Sequence, residues 1–161
     1  MSIESITNFI QVSGRVASSG QPEERQFKEI ALAGYKVVVN LAMANSENAI
    51  PEEGNMVAAL KMTYIHIPVP FNAPDVDHLK NFIKIMNAIS NQKVWVHCVV
   101  NYRVSAFLYQ YQRLIHGDTA EVARKVMLPT WEPNEVWLNF LAISGDQVNI
   151  NAEYNNDKKC K

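Results

Sequence analysis

VWVHCVVNYRVSAF, residues 94–107, decides how the rest of the chain is read. Lys93 to His97 is short, apolar and rich in β-branched residues, the pattern of a strand buried on both faces. Cys98 follows directly. Beyond a short loop comes Arg103, and from 103 to 115 apolar residues recur as Val104, Phe107, Leu108, Tyr111, Leu114 and Ile115, the spacing of one helix face. A strand–loop–helix turn presents consecutive backbone N–H groups at a helix N-terminus, where the dipole favours an anion. A cysteine held there is stabilised as its thiolate. Arg103 adds a planar fork of donors suited to an oxyanion.

Outward from this stretch, short apolar runs alternate with helical patterns. Val37 to Leu41 and Thr63 to Val69 read as buried strands. Helices are expected over 22–33, 51–60 and 75–90, the last carrying Val76, Leu79, Phe82, Ile83, Met86 and Ile89 on one face. Pro22 suits the first helical position and Gly34 the C-terminal stop. Further helices are expected over 119–127 and 133–143, with Thr119 as a cap and Pro133 as an opener. FIQVSGRVASSG, residues 9–20, supplies one or two edge strands. The alternation predicts an α/β fold, a mostly parallel sheet of four or five strands flanked by helices. Residues 1–148 read as one domain and 149–161 (NINAEYNNDKKCK) as a polar tail. Such sheets bind ligands beyond the carboxyl ends of their strands, which again selects the residues after His97.

Composition bounds the function. Of 161 residues, 48% are apolar and 19% charged, so disorder and a disulfide-dense scaffold are excluded. Fifteen Lys and Arg against 16 Asp and Glu give a net charge of −1, so no basic field draws the molecule to nucleic acid or to an anionic membrane. Anion recognition is therefore local. The two cysteines, Cys98 and Cys160, differ in setting, and Cys98 is the candidate nucleophile. The four histidines show no metal-ligand spacing. No apolar run is long enough for a membrane span, and the first residues lack a leader pattern, so a cytoplasmic location is expected.

The loop resembles that of the cysteine-dependent protein tyrosine and dual-specificity phosphatases, which carry His-Cys, five residues, Arg, then Ser or Thr. Here four residues, Val99 to Tyr102, separate Cys98 from Arg103, and Asn101 replaces the usual loop glycine. Ser105 keeps the register of the family's hydroxyl, which stabilises the thiolate as a leaving group. A wider resemblance covers residues 19–115: SGQPEERQFKEIALAGYKVVVNL, then YIHIPV, then VHC, are similar to a bacterial group related to the dual-specificity phosphatases. It implies that the thiolate of Cys98 attacks a phosphate monoester, of a protein or a small molecule, without metal or organic cofactor. The backbone of Val99, Val100, Asn101, Tyr102 and Arg103 would hold the phosphate oxygens, and His97 would tune the loop and thiol. The family's acid is an Asp shortly before a position matched by Pro74. In PVPFNAPDVDHL, residues 68–79, Phe71 and Asn72 stand there instead, leaving Asp75, and after it Asp77, as candidates.

Plainer readings stand beside these. Asp75 suits a helix N-cap, Ser105 a first-turn surface position, His66 a core or sheet-edge position, and Trp131 and Trp137 packing. Gln21, Asn40 and Tyr102 lie near the expected site without a decided role. Two other functions compete. The six-residue Cys-x4-Arg loop also resembles that of rhodanese-like sulfurtransferases, although no Gly-His-Ile-Pro-Gly segment accompanies it. A pseudophosphatase would hold the anion and not turn it over.

Overall fold

The computed structural model describes residues 2–149; the expected tail from residue 150, with Cys160, lies outside them. Five strands form one sheet in the order β1-β2-β5-β3-β4. They are β1 (Ile10–Gln11), β2 (Val16–Ser19), β3 (Val37–Asn40), β4 (Thr63–His66) and β5 (Val94–His97). β1 pairs antiparallel with β2, and every other pairing is parallel. The expected α/β architecture is therefore present. β2 is not an edge strand, however: β1 covers its outer side, and β2 pairs with the last strand, β5. β5 thus lies in the middle of the sheet, with Val96 paired to Ser18 on one side and Val39 on the other.

Alternation along the strands builds a core on each face. Val37, Val39, Val94 and Val96 point to one face, where α3 (Val76–Ala88), α4 (Tyr102–Leu114) and α6 (Glu135–Leu141) cover them with Phe82, Met86, Phe107 and Trp137. Ala17, Val38 and Trp95 point to the other, under α1 (Glu24–Leu32) and α2 (Glu53–Ala59), with Phe27, Ile30, Tyr35 and Val57. All these side chains are at most 5% exposed. Each large one stabilises the fold by roughly 1.5–3 kcal/mol through burial.

Element ends depart from the pattern for local reasons. Pro22 and Pro133 each precede the cap, because Glu23 and Asn134 are the cap residues; Asn134 accepts from Trp137 N–H at 3.2 Å. β4 stops at His66 because the register slips just beyond it: Ile67 N–H still donates to Asn40 O at 2.9 Å, but Val69 N–H then donates to Leu41 O at 3.1 Å, one residue short of the regular partner. The expected helix over 119–127 is split into α5 (Ala120–Ala123), capped by Thr119, and a 3-10 turn over Arg124–Val126. The Leu128 N–H turns away to the Ser105 hydroxyl at 2.9 Å, and Pro129 follows. A short α7 (Gly145–Val148) closes the described chain, with Asn149 in a left-handed cap. No helix among the described residues is long and apolar enough to cross a membrane.

Candidate active site

The site is built where β5 runs out. Leu41 N–H donates to His97 O at 2.9 Å and Cys98 N–H to Ser19 O at 3.3 Å, so the flanking chains β2 and β3 hold the strand end in place. Cys98 is a free thiol and 1% exposed. The loop then turns through Asn101, which has φ 69° and ψ 14° and precedes the first residue of α4. A left-handed conformation favours glycine and, next to it, asparagine. Asn101 thus does the backbone work of the glycine it replaces. Its side chain adds more: Nδ2 donates to Asn8 O at 2.8 Å and to Ser18 Oγ at 3.1 Å, while Asn8 Nδ2 donates back to Val100 O at 2.9 Å. The pair clamps the loop to the N-terminal segment. On its other side, Gln21 N–H donates to Val99 O at 2.9 Å. Gly20 allows that approach, since a Cβ there would stand 2.5 Å from Val99 O.

Arg103 lies in the first turn of α4 and is 5% exposed. Its Nη1 donates to Val69 O at 2.8 Å, its Nε is buried without a partner among the described residues, and the Phe71 ring centre is 5.7 Å from the guanidinium carbon. No carboxylate pairs with it among the described residues. A buried guanidinium lacking a counter-ion is costly, and the cost is relieved when an anion takes the free donors. Phe71, at the position expected for an acid, packs on Trp137 at 5.5 Å and on Tyr102 at 6.5 Å between ring centres, and Trp137 Nε1 donates to its carbonyl at 3.0 Å. Tyr102 in turn stacks on Trp131 at 5.1 Å and 10°. The two tryptophans are packing residues first. Trp131 also walls a separate cavity of about 560 Å³ between the Arg124–Pro133 stretch and α6.

Three side chains are turned to other partners. Asp75 caps α3: its Oδ1 accepts from His78 N–H at 2.9 Å, and its side chain is 60% exposed. Asp77 lies in the first turn of the same helix. Ser105 is fully buried and its oxygen accepts from Leu128 N–H, which fixes the 127–131 segment against α4. His66 closes the edge strand with Nε2 2.6 Å from Ala42 O.

Sequence reasoning passed over Glu53. This glutamate on α2 is 2% exposed, with Oε1 accepting from Gln21 Nε2 at 2.6 Å and Oε2 standing 2.7 Å from His97 Nε2. Burial raises its pKa, but the hydrogen bond and charge of His97, with help from Gln21, outweigh that and hold the carboxyl below its ordinary value. Tyr64 completes the group, its hydroxyl accepting from Asn40 Nδ2 at 3.0 Å. Burial and the neighbouring Glu53 charge, opposed by Asn40, push the phenol up to about 12. A polar cavity of about 340 Å³ borders Asn40, Glu53, Tyr64 and His66. The available signal was the run Pro51, Glu52, Glu53 opening a helix, two adjacent carboxylates of which one is turned inward.

The fold and site can be set beside known proteins. No curated protein matches the chain. Among solved structures, a DUF442 protein from Shewanella putrefaciens, assigned as a phosphatase, is 34% identical, with a TM-score of 0.79 over 86% of this chain and 91% of that one. The core catalytic domain of the PP-IP phosphatase SIW14 from S. cerevisiae, solved with citrate, shares the fold at 17% identity and TM-score 0.72, covering 94% of each chain. TpbA from P. aeruginosa shares it at 14% identity and TM-score 0.71, covering 90% of each. The resemblance read from the Cys98 loop and the Gly-Gln-Pro to HIPV order is thus that of a cysteine-dependent, dual-specificity-like phosphatase fold. Residues 5–134 match the family described as DSP-PTPase phosphatase fused to NAD+ kinase, and the chain belongs to that family.

Proposed function

We propose that the chain is a cysteine-dependent phosphatase acting on a phosphate monoester, of a protein or a small molecule, through its Cys98 loop. The observation that carries this reading is the buried guanidinium of Arg103, which among the described residues has no carboxylate partner and an unpartnered Nε, in the helix turn that follows the buried thiol. The Cys98 thiolate attacks phosphorus in line. A sulfur–phosphorus bond forms as the ester P–O bond breaks, and the leaving oxygen takes a proton. Backbone N–H groups of residues 99–103 and Arg103 hold the three remaining oxygens and their growing charge. Water then attacks the phosphocysteine, releasing phosphate and restoring the thiolate. His97 supports the thiol from the preceding position. Ser105 acts in this scheme by holding the 127–131 segment, whose Trp131 stacks on Tyr102 of the loop. No step calls for a metal or organic cofactor.

Asp75 is retained as the acid, and its cap geometry shapes the test. Asparagine caps a helix as well as aspartate does, so Asp75→Asn keeps the fold and removes only the proton. The assay is hydrolysis of para-nitrophenyl phosphate from about pH 5 to pH 8, the span in which an activated thiol and a carboxylic acid titrate. Turnover by the wild type, abolished in Cys98→Ser, is the expected result. An unchanged rate in Asp75→Asn retires Asp75. A second reading, an anion-binding module without turnover, is favoured by the engagement of Asp75 as a cap and by the Phe71 that replaces an acid. Phosphate binding lost in Arg103→Ala, with no hydrolysis by the wild type, would select it. Sulfur transfer from thiosulfate would instead select the rhodanese-like alternative.

A further inference from the structure

Cys98 is braced from both sides by one buried carboxylate. Glu53 Oε2 meets His97 Nε2, one residue before Cys98, and Glu53 Oε1 meets the side chain of Gln21, whose own N–H holds Val99 O, one residue after it. His97 is 0% exposed, and its second ring nitrogen, Nδ1, faces Cys98 O at 3.3 Å. A carbonyl only accepts, and an ionised carboxylate only accepts. Both contacts are satisfied together by a ring that donates from each nitrogen. The depressed Glu53 carboxyl agrees with this. Among the described residues, no other cation contributes to the lowered Glu53 carboxyl. From α1 the Phe27 ring packs edge-on to the imidazole at 6.1 Å, from β4 comes the neutral Tyr64, and from the turn before α1 comes the amide of Gln21. The adjacent Glu52 is turned aside to Asn55.

We propose that Glu53 is a positioning residue for Cys98: it holds His97 as an imidazolium against the Cys98 carbonyl, one residue before the thiol, and, through Gln21, fixes the loop one residue after it. The neighbouring cation then favours the thiolate. The inference bears on turnover only through the phosphatase reading, but the ionisation it describes is measurable without turnover.

The test uses the full chain with Cys160→Ser, which leaves Cys98 as the one thiol. Labelling histidine with nitrogen-15 and cysteine with carbon-13 reports the His97 ring protons and the Cys98 titration by NMR. At neutral pH both His97 ring nitrogens are expected to be protonated. In Glu53→Gln the ring should lose one proton, and the Cys98 midpoint should rise by about one pH unit, a tenfold loss of thiolate at fixed pH. A bare ring nitrogen on His97 in the unmutated site overturns the proposal, and that arm stands even if Glu53→Gln does not fold. An unmoved Cys98 midpoint in a folded Glu53→Gln overturns it equally. Wild-type protein that shows the imidazolium yet hydrolyses no para-nitrophenyl phosphate would count against the phosphatase reading and leave this one standing.

Discussion

Asn101 is the residue whose replacement tests the loop most directly, because two separable effects meet in it. Its backbone sits at φ 69°, and its side chain is fully buried. Asn101→Gly keeps the left-handed turn and deletes the side chain. Two hydrogen bonds are lost, to Asn8 O and Ser18 Oγ, each worth about 1 kcal/mol net. Part of that is returned, because Asn101 Oδ1 is buried without a partner among the described residues and its removal relieves a desolvated acceptor. The net loss should be about 1–2 kcal/mol. Asn101→Ala loses and regains the same groups but must also place a Cβ in the left-handed region. That adds about 1 kcal/mol over the glycine variant. For a domain of this size the difference corresponds to roughly 2–4 °C in Tm. Urea and thermal unfolding of wild type, Asn101→Gly and Asn101→Ala measure the series. Alanine equal to glycine, or more stable, would refute the argument that asparagine is here to supply a left-handed turn.

Other perturbations reach the same loop from its surroundings. Gly20→Ala should destabilise the fold by about 1–3 kcal/mol, since the new Cβ would stand 2.5 Å from Val99 O, a backbone atom that cannot swing aside; an unchanged urea midpoint would refute it. Trp137→Phe should cost about 1–3 kcal/mol by orphaning Phe71 O, and should make the 70–74 segment more sensitive to limited proteolysis. The depressed Glu53 carboxyl gives stability that is present above its unfolded value of 4.5 and lost as pH falls through its lower folded value. Urea midpoints of the wild type should therefore drop below pH 4.5, and the gap to Glu53→Gln should close there.

The parts of the molecule legible in the sequence are those fixed by short-range pattern. β3 and β5 are continuous apolar runs because both faces of a central strand are covered, and α3 shows its spacing because only one face is. The interior place of β2 was not legible, because its four residues are half serine, Val-Ala-Ser-Ser. Those serines are buried for polar reasons: Ser19 Oγ accepts from Trp95 Nε1 at 2.9 Å, and Ser18 Oγ accepts from Asn101. Likewise Cys98, Arg103 and Asn101 announce themselves by spacing within one loop. Glu53 is separated from His97 by 44 residues, and no local pattern links them.

The same division between local pattern and tertiary support bears on the arginine register. One residue fewer between Cys98 and Arg103 would misplace the guanidinium if the loop alone positioned it. Here it does not. Arg103 is held by Val69 O from the segment after β4, under Phe71, while the loop is held by Asn8 and Gln21 from the segments flanking β1 and β2. The guanidinium and the loop are thus anchored to different parts of the fold. Arg103→Lys separates the two supports. Lysine retains the charge but not the fork, so it can serve Val69 O or an anion but not both in the guanidinium's plane. Phosphate affinity should fall by about tenfold or more, the equivalent of one charge-assisted hydrogen bond. The urea midpoint should fall less than in Arg103→Ala. Equal phosphate binding by the lysine variant would mean that charge alone, and not the held fork, makes the site.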